Sequence, residues 1–143
     1  MAKVADLLGS KGGGVVYSVG PDDPVLSAIQ LMADRGIGAL LVMRGDELLG
    51  IVSERDYARK VILKGRSSAE TPVWQIMSSP VTSVSPEDSA NTCMMLMTER
   101  KFRHLPVVDG GRVVGVLSIG DLVKAVIEEQ QREIIQLQQY IAS

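Results

Sequence analysis

The sequence predicts a mixed α/β (α+β) fold of two tandem β-α-β-β-α repeats with an extended C-terminal helix. Three observations predict it: an ungapped internal repeat, a short motif that occurs once in each repeat, and apolar patterns that alternate between strand and helix periods. The chain has 143 residues, which suits two small halves. Because a half of about 60 residues is marginally stable alone, we expect the repeats to pack together about a pseudo-twofold axis.

The internal repeat sets the predicted domain boundaries. A shift of 65 positions, the separation of Ser53 and Ser118, aligns residues 16–62 with residues 81–127 without a gap. We predict a first repeat at 1–71, with an N-terminal helical lead and a polar linker, and a second at 72–143. The identical pairs include Ser18/Ser83, Val19/Val84, Pro21/Pro86, Asp23/Asp88, Leu31/Leu96, Met32/Met97, Arg35/Arg100, Val42/Val107 and Gly45/Gly110.

Each repeat contains one copy of a motif that reads Gly-apolar-apolar-Ser-x-x-Asp at the start of an apolar helix. We name its serine and aspartate the first mouth (Ser53, Asp56) and the second mouth (Ser118, Asp121). Free amides at a helix start suit an anion, and the hydroxyl and carboxylate suit the hydroxyls of a sugar. The motif is also close to a capping box, so capping alone is the alternative, and the two roles can coexist.

Each repeat is predicted to begin with a short helical segment, which we name its lead, followed by a short strand. Val4–Leu8 matches Val73–Met77 at a shift of 69 positions, and both are predicted to be short helical segments. The stretch Gly9–Gly14 lacks the Gly-Lys-Ser/Thr ending of a phosphate-binding loop, so we interpret it as a flexible insertion. Strands rich in β-branched residues are predicted at Val15–Val19 and Val81–Val84.

A helix is predicted after each of these strands. The helices open at Asp23-Pro24 and Asp88-Ser89, with the proline in the favoured first turn. Cys93 lies on the packed side of the later helix, which favours a buried inert thiol over a redox site. Trp74 is interpreted as a packing anchor between the halves rather than as a platform for a ligand.

The rest of each repeat is predicted to be a β-hairpin followed by a helix. The pairs Gly45-Asp46 and Gly110-Gly111 suit two-residue turns, in which glycine accepts a positive φ. Helices are predicted at Asp56–Leu63 and from Asp121 onward. The four strands are Ala39–Arg44, Glu47–Val52, Leu105–Asp109 and Arg112–Leu117.

The last helix has apolar residues at the a and d spacing of a coiled coil, with Gln130 as a polar interruption. Such a stripe folds back on its own repeat or meets the same helix of another copy. Since a short stripe needs a partner surface, we expect a homodimer contact. The apolar positions are Val123, Ile127, Ile134, Leu137 and Ile141.

Composition excludes several classes of function. A net charge of −2 and a pI near 5.4 give no reason to bind nucleic acid. No apolar run has the length of a membrane span, and the N-terminus lacks the apolar core of a secretory signal, so we expect a cytoplasmic protein. One cysteine excludes an internal disulfide and a thiolate zinc cluster. One histidine and no catalytic motif indicate that the chain is not an enzyme and needs no metal.

The repeat with its duplicated motif resembles the cystathionine-β-synthase (CBS) domain pair, also called the Bateman module. The resemblance covers essentially the whole chain. Ile76-Met77 and the segment Arg103–Val108 add to the resemblance. The resemblance implies a stand-alone, non-enzymatic sensor that binds an adenosine-containing ligand in the cleft between the repeats and signals to an unidentified regulated protein. AMP is the ligand most expected, with ADP, ATP, S-adenosylmethionine and NAD(H) as alternatives.

The resemblance also assigns roles to residues within each repeat. It maps ribose binding to the carboxylates of Asp56 and Asp121, with the hydroxyls of Ser53 and Ser118 beside them. Adenine is expected among apolar residues and main-chain groups. These apolar residues are Val19, Ile51, Val84 and Val116.

Phosphate binding is expected to differ between the mouths. The resemblance implies that Arg103 and His104 serve the first mouth, where Arg55 adds charge, while Gly38 and Gly120 leave the second mouth less suited to anions. The alternative for Arg103 is a solvated surface cation, and for His104 a strand residue with a local partner.

Two further functions remain open at this point. A structural dimerisation module with degenerate sites would bind no adenosine compound. A nucleotide-hydrolysing enzyme would turn one over.

Overall fold

The computed structural model describes residues 2–10 and 16–142. Residues 11–14 of the predicted insertion and Val15 of the first predicted strand lie outside the described residues. The described elements in chain order are α1 (Val4–Ser10), β1 (Ser18–Val19), α2 (Val25–Arg35), β2 (Ala39–Arg44), β3 (Glu47–Ser53), α3 (Glu54–Tyr57), a π-helix (Ala58–Ile62), a 3₁₀ turn (Val73–Gln75), α4 (Ala90–Arg100), β4 (His104–Asp109), β5 (Arg112–Ser118) and α5 (Ile119–Ala142).

Contacts between residues divide the chain into two compact units. The first unit is 16–82, and the second unit combines the described residues 2–10 with 83–142. This division differs from the sequence-based boundary between 71 and 72, because both leads lie in a unit other than the predicted one. The mixed α/β class, with a long C-terminal helix, is confirmed.

The first unit is built on a three-stranded sheet in the order β1-β2-β3. Strand β1 pairs with β2 in parallel, and β2 pairs with β3 in an antiparallel hairpin that turns at Gly45, where φ is +59°. The register shifts after Val42, which leaves Leu49 as an extra residue in β3. The buried core comprises Val19, Val25, Ala28, Met32, Leu40, Val42, Val52, Val61, Val73 and Ile76.

The second unit repeats this hairpin with β4 and β5. Its turn residues Gly110 and Gly111 have φ of +59° and +80°, and its register shifts at the corresponding place, after Val107. The strand predicted at Val81–Val84 is wrong in extent, because a single parallel bridge joins Val84 to Val107. The buried core comprises Val4, Leu7, Val84, Ala90, Cys93, Met97, Leu105, Val107, Leu117 and Leu122.

The helices after the first strands are α2 and α4, and Pro24 lies just before α2 instead of in its first turn. Pro24 is the N-cap of α2, with extended φ and ψ of −66° and 144°, and Ser89 caps α4 by accepting from the Thr92 amide at 3.1 Å. The aspartates close the preceding turns instead. Oδ2 of Asp23 accepts from the Gly20 amide at 2.7 Å, and Oδ2 of Asp88 from the Ser85 amide at 2.8 Å.

The two leads are exchanged between the units. In the second unit, the Val4 amide donates to the Asp88 carbonyl at 2.8 Å, and Val4 is fully buried. In the first unit, the Val73 amide donates to the Asp23 carbonyl at 2.9 Å, and Val73 is fully buried. Each lead therefore completes the core of the repeat that it does not directly precede.

The C-terminal helix α5 has two parts with different environments. Leu122 is fully buried, whereas every residue from 130 to 142 is exposed. In the described part of the chain, no helix combines the length and the apolar character that crossing a membrane requires.

Candidate functional site

The first mouth lies where β3 ends and α3 begins. Oγ of Ser53 accepts from the Asp56 amide at 3.1 Å, while Asp56 Oδ2 accepts from the Ser53 amide and hydroxyl, each at 3.0 Å. This is a complete capping box. It fixes the Asp56 carboxylate at the helix start, where the side chain is 14% exposed.

The second mouth has the same geometry where β5 ends and α5 begins. Oδ2 of Asp121 accepts from the Ser118 amide at 2.8 Å, and Ser118 Oγ accepts from the Asp121 amide at 3.2 Å. The capping alternative is therefore real in both repeats. It engages one of the two oxygens of each carboxylate, so it is compatible with a role in ligand binding.

At both helix starts, backbone amides already donate hydrogen bonds to other groups of the protein. The Glu54 amide donates to the Gly38 carbonyl at 3.0 Å, and the Ile119 amide donates to the Arg103 carbonyl at 2.9 Å. Together with the capping bonds, two of the first three amides of each helix have partners. Recognition of an anion by free amides is thus weaker than the motif suggested, and side chains must carry it.

The first residues of β2 and β4 lie opposite the serine of the motif in their own repeat. In the hairpin registers Ala39 is opposite Ser53, and His104 is opposite Ser118. His104 is partly buried, and Arg103 is exposed. Arg103 and His104 belong to the second unit, whereas the first mouth belongs to the first unit. That these two residues serve the first mouth stays a prediction.

The residues expected beside adenine lie close to the motifs along each sheet. Val19 and Val84 are buried, whereas Ile51 and Val116 are partly buried. Ile51 is tied to the following segment by paired backbone bonds with Ser78, at 2.8 and 3.1 Å.

The glycine that opens each motif is a point of close approach. A Cβ on Gly50 would lie 2.7 Å from Sδ of Met77 and 2.9 Å from the Ser78 carbonyl oxygen. A Cβ on Gly115 would lie 2.6 Å from Cδ2 of Leu8. A lead thus packs against each motif, but only at Gly50 would the Cβ meet backbone, whereas at Gly115 it would meet the flexible end of Leu8.

Sequence reasoning missed one residue of the first mouth. Nζ of Lys60 lies 3.2 Å from Asp56 Oδ1 and donates to the Ile76 carbonyl at 2.9 Å. The i, i+4 spacing of Asp56 and Lys60 could have indicated the ion pair. At a shift of 65 positions, the second repeat has Ala125 in place of Lys60.

Two further features bear on reactivity, the thiol of Cys93 and the grouping of potential metal ligands. Cys93 is fully buried, as predicted, and burial followed by the Asp88 carboxylate raises the pKa of its thiol. The fraction of reactive thiolate at neutral pH is therefore reduced. Across residues 2–10 and 16–142, no three His, Cys, Asp or Glu side chains are grouped to hold a metal ion.

Comparison with known proteins decides the family. The sequence model of the CBS domain matches residues 15–63 and 73–128, one match in each repeat. The chain belongs to the CBS domain family. It is a CBS-domain regulatory module with two copies of the domain.

Relatives of this CBS-domain chain support the assignment. It is 39% identical over 147 residues to CBSX3 of Arabidopsis thaliana, named as mitochondrial, covering 96% of this chain and 71% of the relative. It is 34% identical over 107 residues to YhcV of Bacillus subtilis, covering 75% of this chain and 76% of the relative. The expected cytoplasmic location of the present protein stays a prediction.

Solved structures have the same fold. A Burkholderia ambifaria protein with CBS domains, named as a candidate signal-transduction protein, matches with a TM-score of 0.86 and 53% identity, over 90% of this chain and 96% of that one. The CBS domain protein PAE2072 of Pyrobaculum aerophilum, complexed with AMP, matches with a TM-score of 0.74 and 24% identity, over 84% and 89%. The second likeness concerns the fold alone.

Proposed function

We propose that this CBS-domain pair is a non-catalytic sensor that binds an adenosine-containing ligand at its mouths and signals the bound state to a partner protein. The observation that carries the proposal is the duplicated, part-buried aspartate. In both units a capping box holds Oδ2 of the carboxylate, so the side chain has one orientation before any ligand arrives. A carboxylate has about four acceptor positions, which suits the two adjacent hydroxyls of a ribose.

The surroundings of the aspartates fit the rest of an adenylate. Ile51 and Val116 provide apolar surface near each motif for the base, together with Val19 and Val84. An AMP complex of a CBS protein with this fold makes AMP the first ligand to test, ahead of ADP, ATP and NAD(H). No metal is part of the proposal.

The mouths are proposed to differ in their preference for phosphate. Arg55 lies at the first mouth, whereas the second has Gly120 at the same position of the motif. We assign Arg103 and His104 to the phosphate of the first mouth as well. Guanidinium groups bind phosphate through charge-assisted hydrogen bonds, so the first mouth should prefer AMP over adenosine.

The proposal is tested by a thermal-shift and calorimetry panel of adenosine, AMP, ADP, ATP and NAD(H). A ligand at about 100 times its Kd stabilises the folded state by roughly 2.7 kcal/mol and should raise Tm by about 5–10 °C. Asp56→Ala should abolish the site that prefers AMP, and Asp121→Ala should abolish the other.

A matched control comes from the turn before α4. Asp88 caps the Ser85 amide at 2.8 Å, the same distance at which Asp121 caps the Ser118 amide. Asp88→Ala therefore loses an equivalent capping bond and should retain binding. Equal loss of binding in Asp88→Ala and Asp121→Ala would reduce Asp121 to a helix cap.

The same panel decides between the other functions. No binding of any compound by the wild type would favour a structural module with degenerate sites. Turnover of a nucleotide that is lost in Asp56→Ala would make the protein an enzyme.

We also propose that the protein is a homodimer through α5. Residues 130–142 form about 20 Å of helix in which every residue is exposed, and an isolated helix of this length is marginal in water. Exposed Ile134, Leu137 and Ile141 repeat at the a and d spacing, which suits the same helix of a second copy.

A further inference from the structure

Lys60 joins the first mouth to the segment that leads into the second repeat. Its ammonium lies 3.2 Å from Oδ1 of Asp56 and 2.9 Å from the carbonyl oxygen of Ile76. An ammonium has three donors, so one side chain can satisfy both partners at once. The side chain of Lys60 is 44% exposed, so water can replace either contact.

The segment Pro72–Ser78, which we name the connector, is held on the first unit close to the same mouth. The Ser78 amide donates to the Ile51 carbonyl at 2.8 Å, two residues before the Ser53 cap. Met77 packs where a side chain on Gly50 would lie. The connector therefore contacts the strand that ends in the mouth, and through Lys60 it also reaches the mouth's carboxylate.

The second mouth lacks this bond. Ala125 occupies the position that corresponds to Lys60 and has no side-chain donor. The lead of the second unit is α1, which reaches Gly115 through the apolar side chain of Leu8. The link that Lys60 makes in the first repeat therefore cannot form from the corresponding position of the second repeat.

Lys60 is partly exposed and its ammonium is screened by water, so a ligand can replace this i, i+4 ion pair at little cost. A ribose hydroxyl that donates to Asp56 Oδ1 competes with Lys60 for that oxygen. Once the Lys60 ammonium leaves Asp56, the ion pair no longer holds it near Ile76. Water then replaces the ammonium as the hydrogen-bond donor to the Ile76 carbonyl.

We propose that Lys60 is a positioning residue that couples ligand binding at the first mouth to the connector. The inference rests on the proposed function, since it needs a ligand at Asp56. Occupation of the first mouth releases one tether of the connector. The readout is therefore the stability of the connector's own backbone bonds.

The experiment measures amide hydrogen exchange of Met77 and Ser78 in the full chain, with and without AMP, while calorimetry follows AMP binding. In the wild type, saturating AMP should speed exchange at these amides by about fivefold or more. Lys60→Met should show the faster exchange without ligand, and AMP should add no further change. Lys60→Arg should restore the response.

Controls separate the two proposals. Arg59→Met removes an equal charge from the neighbouring position and should behave as the wild type. Asp121→Ala should keep the connector response, because it changes only the second mouth. If Lys60→Met matches the wild type in exchange without AMP, or still responds to AMP, the coupling is wrong even though AMP binds. If AMP fails to bind the wild type, the proposed function is wrong for AMP, and the ligand-free comparison still decides whether Lys60 tethers the connector.

Discussion

At the residue scale, Asp56 uses its two carboxylate oxygens for different contacts. Oδ2 of Asp56 accepts the capping bonds of Ser53, while Oδ1 faces the Lys60 ammonium. The capping box fixes the carboxylate in one rotamer and would not compete for Oδ1 with the proposed ligand. The spacing Ser-x-x-Asp predicted both roles, but the bond from Lys60 to Ile76 joins residues 16 positions apart and has no local signal.

The glycines of the two motifs predict unequal effects of one substitution. Alanine at Gly50 meets the Ser78 carbonyl, which is backbone, whereas alanine at Gly115 meets only the end of the Leu8 side chain. We expect Gly50→Ala to lower the free energy of unfolding by about 1–3 kcal/mol, as overpacking does, and Gly115→Ala by less than about 1 kcal/mol. Urea unfolding measures both.

Gly9→Ala is the control for the general effect of losing a glycine, because a Cβ there would have no neighbour within 4 Å. It should be neutral or stabilising, since alanine favours the helix. Equal midpoints for Gly50→Ala and Gly115→Ala would contradict the packing argument.

At the element scale, the hairpins were predicted well because their signals are local, whereas the helix predicted at Asp56–Leu63 is a short α-helix, Glu54–Tyr57, followed by a π-helix, Ala58–Ile62. The bounds of β2 agree with the prediction, and β3, β4 and β5 each extend by one residue. The extra residues Leu49 and Val114 could not be predicted, because a bulge depends on the register of the partner strand. The lengths of the first strand of each repeat were overestimated, since a short apolar run does not indicate how many of its residues pair with a neighbouring strand.

The exposed half of α5 leads to a prediction about assembly. Ile134→Glu places a charge in the apolar stripe and should convert a dimer to a monomer at micromolar concentration, measured by sedimentation equilibrium. Circular dichroism should show that helicity is lost together with the dimer, because the exposed turns of α5 are only marginally stable without a partner.

Gln139→Glu is the matched control for this prediction. It adds the same charge to the same helix at a position outside the a and d stripe. A dimer that survives Ile134→Glu, or a wild-type monomer, would contradict self-association through α5.

At the scale of the whole molecule, the two units differ in how they are assembled from the chain. The first unit is continuous, whereas the second needs α1 from the other end of the sequence. The repeat was visible in the sequence, but the exchange of the leads was not. Val4–Leu8 and Val73–Met77 match each other, and that match does not say which unit receives which copy.

This arrangement predicts how the second unit responds to damage in α1. Val4 is fully buried in the same core as Cys93, so Val4→Asp places a charge among apolar side chains and should open that core. Cys93 is the sole cysteine, and burial raises the pKa of its thiol, so it should react slowly with a thiol reagent at neutral pH in the wild type. We expect the reaction to be at least about tenfold faster in Val4→Asp, corresponding to about 1.4 kcal/mol of lost stability.

Ala5→Asp provides the comparison, because Ala5 is exposed on the same helix. Its Cys93 should react at the wild-type rate. Slow reaction in Val4→Asp would mean that α1 is not needed to close the second core.

The exchange of leads also has a consequence for the order in which the chain acquires structure during synthesis. Residues 16–82 form a compact unit that is continuous in the chain, so they can fold once they have left the ribosome. The segment containing Val4 is made before residues 16–82 but must wait for Asp88 and the strands beyond it. Residues around Val4 are thus translated before residues 16–82 but find their native contacts after them, when the second core closes.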